Sequence, residues 1–211
     1  METDSATFVV LDTETTGLEQ EKGHRICEVG AIKLRAGKEV ERLHSLLHPE
    51  RPIPPEATAT NKITDEMVKN APPFAVFAPQ LRPFLAGSVL VGQNIEFDLS
   101  FLNAEFQRVG MGRLQVPTVD TIALARRARP GLASYNLDNL AFQFRVKFNA
   151  RHRSIGDAEV TATIFLECAK LLRQKGECKS VEDLVARGAR GQDSTRMLPK
   201  VSPTINSPSL F

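Results

Sequence analysis

Asp12 and Glu14, with Thr13 between them, close a short apolar run that begins at Thr7. Residues two apart on an extended strand share a face, so both carboxylates look the same way. A third acid, Asp98, stands in Gly92-Gln93-Asn94-Ile95-Glu96-Phe97-Asp98, where an apolar strand turns into a helix. A fourth, Asp157, ends the segment His152-Arg153-Ser154-Ile155-Gly156-Asp157, which leads into another apolar helix. Taken singly, each has an ordinary explanation: a solvated strand end, or a first-turn acid favoured by the helix dipole. Four carboxylates gathered at one edge of a core are different, because they repel one another and take up protons unless divalent cations lie between them. Oxygen-only ligation suits Mg²⁺ or Mn²⁺. Two such ions about 3.5 to 4 Å apart stabilise the attacking and leaving oxygens of an in-line phosphoryl displacement. A histidine side chain can take a proton from water near neutral pH, and His152 supplies such a base.

The elements that must bring these groups together follow from the hydrophobic pattern. Thr7 to Leu11 reads as a buried strand, and Ile26 to Leu34 and Val40 to Leu47 as a hairpin turning at Ala36-Gly37-Lys38. A proline-rich connection follows, and Thr64 is placed as the N-cap of a short helix. Phe74, Phe77, Leu81 and Leu85 have the spacing of a helix facing a core, and Pro79 and Pro83 make its interior suspect. Ser88 to Val91 is another strand, and helices are expected over Phe97–Val109, Thr121–Arg127, Leu137–Phe144 and Ala158–Arg173. Strands first, then helices alternating with strands, imply an α/β domain with a mixed sheet. The domain is expected to span 1–175. Residues 176–211, rich in Gly, Pro, Ser and Thr, are expected to form a flexible C-terminal tail with a short helix at Val181–Ala186.

Composition narrows the class. In 211 residues, 42% hydrophobic and 25% charged content excludes wholesale disorder, collagen-like repeats and coiled-coil rods. No run of 18 apolar residues exists and the first residues lack signal-peptide character, so a cytoplasmic protein without a membrane span is expected. Cys27, Cys168 and Cys178 are too few and too scattered for a disulfide scaffold, and are read as reduced thiols. The net charge of +2 conceals an asymmetry: residues 1–107 carry 10 basic and 16 acidic side chains, whereas residues 108–153 carry nine basic side chains against two acidic. The basic segment runs into His152, which places Arg151 and Arg153 beside the expected base as candidate contacts to the phosphates of a nucleic acid strand.

The ordered set Asp12-x-Glu14, Asp98 and His152-x4-Asp157 resembles the three motifs of the DEDDh family of 3′–5′ exonucleases, over about residues 7–173. Within that family it looks most like the proofreading (epsilon) branch of bacterial replicative polymerases and its stand-alone relatives. Leu11-Asp12-Thr13-Glu14-Thr15-Thr16-Gly17-Leu18, Ile26-Cys27-Glu28-Val29-Gly30-Ala31 and Asn94-x-x-Phe97-Asp98 carry the same resemblance. It implies a ribonuclease H-like fold, a five-stranded mixed sheet flanked by helices, and two divalent cations. Asp12 would bridge both ions, Glu14 and Asp157 complete the first site, Asp98 help to hold the second, and His152 activate water. The substrate end would lie on Thr13, Thr15, Thr16, Gly17, Leu18, Ile63 and Asn94. Leu18 is either a wedge beside the last base or a loop residue capping the core, and Ile63 either a nucleotide contact or simple core packing. Gln93 departs from the family, many members of which place His there; a detail of substrate contact is what that departure touches.

The activity so implied is hydrolysis of the terminal phosphodiester at the 3′ end of single-stranded or frayed DNA, releasing nucleoside 5′-monophosphates, in proofreading or repair. Two alternatives stay open: a 3′–5′ exoribonuclease with the same chemistry, and a non-catalytic module that holds a polymerase or clamp. The terminal Ser207-Pro208-Ser209-Leu210-Phe211 resembles the short peptides by which polymerase partners dock into the sliding clamp, without their usual leading Gln.

Overall fold

The computed structural model of the chain describes residues 6–189. Three antiparallel strands come first: β1 (Thr7–Thr15), β2 (Ile26–Arg35) and β3 (Lys38–Leu46). The β2–β3 hairpin turns at Ala36 and Gly37, both at positive φ (51° and 68°), which matches the twist of the strands it joins. β4 (Val89–Gly92) and β5 (Thr118–Asp120) add parallel to the other edge of β1, giving the order β3-β2-β1-β4-β5. This is the mixed five-stranded sheet that the resemblance implied. β5, three residues long, leaves too little pattern to stand out in the sequence.

Alternation along β1 sends its side chains into two cores. Phe8 and Val10, with Ile32, Leu34, Val91 and Val119, meet α5 (Thr121–Ala128), α6 (Leu137–Phe144) and α7 (Ser154–Gln174) on one face. Val9 and Leu11, with Val29, Ala31 and Leu90, meet α3 (Phe74–Leu85) and α4 (Ile95–Arg108) on the other. Every β1 member of these clusters is at most 1% exposed. The strand runs beyond Leu11 to Thr15, so Asp12 and Glu14 inherit the α7 side and Thr13 the α4 side.

Several expectations are corrected. Residues Pro55–Asn61 within the proline-rich connection form a helix, α1, since Pro55 at the first helical position loses no bond that the helix needed. It is followed by α2 (Asp65–Val68), capped by Thr64 as expected. α3 is continuous through Pro79 and Pro83: both prolines lie on the exposed side, where carbonyls lacking an amide partner face water, and Phe74, Phe77, Leu81 and Leu85 stay buried. α4 and α7 start earlier than their apolar patterns, at Ile95 and Ser154.

Beyond residue 175 the short helix expected at Val181–Ala186 is present. α8 (Val181–Gly188) is closed by a Ser180–Asp183 capping box and rests on β5 and α5, with Leu184 buried. The clamp-like ending at Leu210 and Phe211 lies outside the described residues. Cys27, Cys168 and Cys178 are free and buried. Among the described residues no helix is long and apolar enough to cross a membrane.

One close approach sets the position of α7. Gly30 pairs with Asp12 across β1 and β2, and a Cβ on it would stand 2.4 to 2.6 Å from the backbone of Ser154 and Ile155. The first turn of α7 therefore lies against the sheet beside Asp12 because residue 30 has no side chain. Gly30→Ala is expected to cost about 1–3 kcal/mol in chemical denaturation, the usual penalty of overpacking. A variant as stable as the parent contradicts this reading of the contact.

Candidate active site

Asp12 and Glu14 reach toward α7 and meet Asp157 in its first turn. One carboxylate oxygen from each of the three lies within 4.8 Å of the others. Asp98 comes from α4 on the opposite side of β1, and its Oδ1 accepts from the backbone N–H (2.9 Å) and the hydroxyl (2.7 Å) of Thr13. It is 3% exposed, and its charge acts on both Asp12 and Glu14. The four acids expected from sequence thus gather at the end of β1, three of them in one cluster and Asp98 beside it, hydrogen-bonded to the residue between the first two.

Burial and mutual repulsion hold these groups away from their ordinary ionisation. Asp12 is raised well above the usual carboxylate range, first by burial and then by the charges of Asp98, Glu14 and Asp157. Glu14 is raised to about 8 by burial and by Asp157, Glu28 and Asp98. Asp98 is raised to about 7 by burial, against the lowering effect of its two bonds from Thr13. Burial also raises Asp157, although the Arg151 guanidinium opposes it. Asp157 Oδ1 is buried and accepts no hydrogen bond. An oxygen-only set that contains such an atom and carries this much mutual repulsion fits a hard divalent cation.

Glu28, directly across from Glu14 on β2, behaves in the opposite way. Burial works to raise it, but hydrogen bonds from His44, Arg153 and the Ser154 N–H override this and hold it at about 2. Arg153 Nε lies 3.0 Å and His44 Nε2 2.9 Å from Oε1, and the Ser154 N–H donates to Oε2 at 2.8 Å. Arg153 is therefore committed to Glu28. Arg151 is committed to Asp138 and Asp157. Both were expected as candidate phosphate contacts, and each is already paired with carboxylates on neighbouring elements. His152, between them, has φ 59° and is half-buried, near enough for a charge on its ring to lower Asp157.

A cavity of about 450 Å³ opens beside Glu14, walled by Thr13 through Leu18 and by His24, Asn61 and Phe97. Thr15 donates its hydroxyl to Gly17 O at 2.6 Å, which fixes the loop after β1. Thr16 is 1% exposed, and its hydroxyl is engaged by His24 and by the Arg25 N–H. Arg25 anchors this wall to α4 through a two-bond pair with Glu105 (2.6 and 2.9 Å). Leu18 is 81% exposed, which removes the core-capping alternative. Ile63 is fully buried in a small cluster with Cys27, Ile53 and Val68 and has no surface for a nucleotide.

The neighbour two residues earlier, Asn61, lines the cavity instead, donating to Thr15 O at 3.3 Å and accepting from the Ile63 N–H. Asn94, at φ 66°, caps α4 and donates its N–H toward Asp120 at 3.3 Å. Gln93, the departure from the family, spends both ends of its amide within the fold, on Tyr135 O and the Thr121 hydroxyl. Phe97 belongs to the Asn94-x-x-Phe97-Asp98 segment, whereas His24 carried no signal in the sequence.

The sequence model of the RNase T exonuclease family matches residues 9–165. The chain is 40% identical over 174 residues to the DNA polymerase III subunit epsilon of Treponema pallidum (strain Nichols), covering 81% of this chain and 80% of that protein. It is 35% identical over 167 residues to the 3′–5′ exonuclease DinG of Bacillus subtilis (strain 168); that match covers 79% of this chain and 18% of DinG. Among solved structures it is similar to exonuclease X in complex with 5′ overhanging duplex DNA, with a TM-score of 0.65 and 26% identity over 86% of this chain and 99% of that one.

The raised carboxylates carry a pH signature. Because Glu14 ionises near 8 when folded and at an ordinary 4.5 when unfolded, its contribution to stability is full below about 4.5 and is lost as pH rises toward 8. Glu28, shifted the other way, loses its contribution only as pH falls from about 4.5 toward 2. Chelator-treated protein is thus expected to melt several degrees lower at pH 8.5 than at pH 5.5, and Mg²⁺ to raise the melting temperature more at the higher pH. Equal Mg²⁺ responses at the two pH values in differential scanning calorimetry contradict it.

Proposed function

Because the chain belongs to the RNase T exonuclease family, we propose that it removes nucleotides one at a time from the 3′ end of DNA, with Asp12, Glu14, Asp98 and Asp157 holding two divalent cations, Mg²⁺ or Mn²⁺. The observation that carries this reading is the convergence of three carboxylate oxygens within 4.8 Å at the lip of a nucleotide-sized cavity. The relatives supply the polarity and the nucleic acid: one is called a 3′–5′ exonuclease, and another is solved with duplex DNA.

In this reading Thr13 to Leu18 and Asn61 seat the terminal nucleoside, with exposed Leu18 against its base. His152 accepts the proton of the attacking water on its imidazole. The water oxygen bonds to the last phosphorus, the bond from phosphorus to the 3′ oxygen of the preceding nucleotide breaks, and that oxygen takes a proton from solvent to leave as a hydroxyl, while His152 later returns its own proton to solvent. A nucleoside 5′-monophosphate departs. When bound, the cations offset the charge that develops on the attacking and leaving oxygens. Exposed Arg126, Arg127, Arg145 and Lys147 give the 108–153 segment the positive field that attracts a polyanion. We assign the nuclease domain to about residues 6–188 and place the protein in proofreading or repair, with a polymerase or clamp as partner.

Asp12→Ala is expected to abolish release of mononucleotides from end-labelled single-stranded DNA; wild-type rates in that variant contradict the assignment. His152→Ala is expected to slow turnover by about 10² to 10⁴ while Mn²⁺ binding persists. A rate within twofold of wild type gives the proton to another group. On matched oligonucleotides the proposal predicts faster digestion of DNA than of RNA, and a preference for RNA replaces it with exoribonuclease activity.

A further inference from the structure

Arg151 stands one residue ahead of His152 and is fixed from three directions. Its Nε and Nη2 donate to the two oxygens of Asp138, on α6, at 2.7 and 3.0 Å. Its guanidinium lies over the Phe148 ring, 4.9 Å from the centroid. Its Nη1 pairs with Oδ2 of Asp157. The other oxygen of that carboxylate, Oδ1, is buried and accepts no hydrogen bond, in a residue 4% exposed.

We propose that Arg151 is a positioning residue for the cation site: by engaging Oδ2 it fixes the rotation of the Asp157 carboxylate and leaves Oδ1 to the cation shared with Asp12 and Glu14. The inference rests on the reading that this cluster holds a divalent cation. A carboxylate free to rotate must be ordered at the moment of binding, and one already clamped is not; partners of this kind are worth about 10–100-fold in metal affinity. A positive charge so close to a cation site would by itself weaken binding. Asp138 removes that objection, because its two-bond grip neutralises the guanidinium while leaving its hold on Asp157 in place. Phe148 restricts the same guanidinium from its flat side. Asp138 and Phe148 thus act through Arg151, and the α6 region gains a link to the cluster that passes through no substrate contact.

The test compares wild type, Arg151→Gln and Asp138→Asn by calorimetric titration with Mn²⁺ alone, together with steady-state digestion of single-stranded DNA. Arg151→Gln is expected to weaken Mn²⁺ binding by about 10–100-fold, with kcat largely restored at saturating Mn²⁺ and KM for DNA changed less than about twofold. Asp138→Asn, at a carboxylate whose side chain is 60% exposed, is expected to shift Mn²⁺ affinity in the same direction by a smaller factor. Mn²⁺ binding in Arg151→Gln equal to or tighter than in wild type overturns the proposal. So does a raised KM for DNA at unchanged Mn²⁺ affinity, which would make Arg151 a phosphate contact. If Arg151→Gln fails to fold, Asp138→Asn decides alone, and unchanged affinity there overturns the proposal. Wild-type protein that binds no Mn²⁺ instead removes the cation reading of the cluster itself.

Discussion

Arg153 and the Ser154 N–H close on the carboxylate of Glu28 near the start of β2, where no solvent reaches it. The contact joins residues 126 apart in sequence and fixes the point at which α7 begins. Two residues further along the same strand, Gly30 lets the first turn of that helix come down against the sheet. These positions stand opposite Glu14 and Asp12 across β1 and β2. Docking α7 at Glu28 and Gly30 is therefore the same event as bringing Asp157 to the two acids of β1. Breaking a buried ion pair by removing one partner generally costs about 3–5 kcal/mol, enough to move a helix end.

Glu14 and Glu28 make the physical contrast at the heart of the site. They are neighbours across two strands and chemically identical, yet one is held at about 2 and the other raised to about 8. Burial raises both; the difference lies in partners. Glu28 has three donors and serves architecture, whereas Glu14 faces further carboxylates. Negative charge accumulated in this way destabilises a fold unless something positive shares it, and a group of acids without sufficient partners is where a functional site is expected in such a molecule.

Much of this was legible in the sequence, for reasons that can be traced residue by residue. Strand alternation placed Asp12 and Glu14 on one face, and the same alternation explains why Thr13, between them, meets Asp98 from the other side. The hairpin and the helices from residue 95 onward followed from their apolar periods. What escaped were features that depend on partners in space. α1 was hidden by prolines that suit a helix start and β5 was too short to show a period, whereas α3 showed its helical spacing despite prolines that an exposed face tolerates. Ile63 was expected at the terminal nucleotide, but the Asn61-Lys62-Ile63 segment lines the cavity through Asn61 while Ile63 turns inward, a choice of face that the sequence alone does not show. Arg151 and Arg153 read as phosphate contacts because their charge was visible and their acidic partners, brought in by α6, α7 and β2, were not.

The most direct test of the central claim, that α7 is docked so as to make Asp157 share a cation with Asp12 and Glu14, is anomalous diffraction from crystals soaked in Mn²⁺. A strong anomalous peak bounded by carboxylate oxygens of all three residues is expected. A peak elsewhere, or none at a Mn²⁺ concentration that supports DNA hydrolysis in solution, would contradict it.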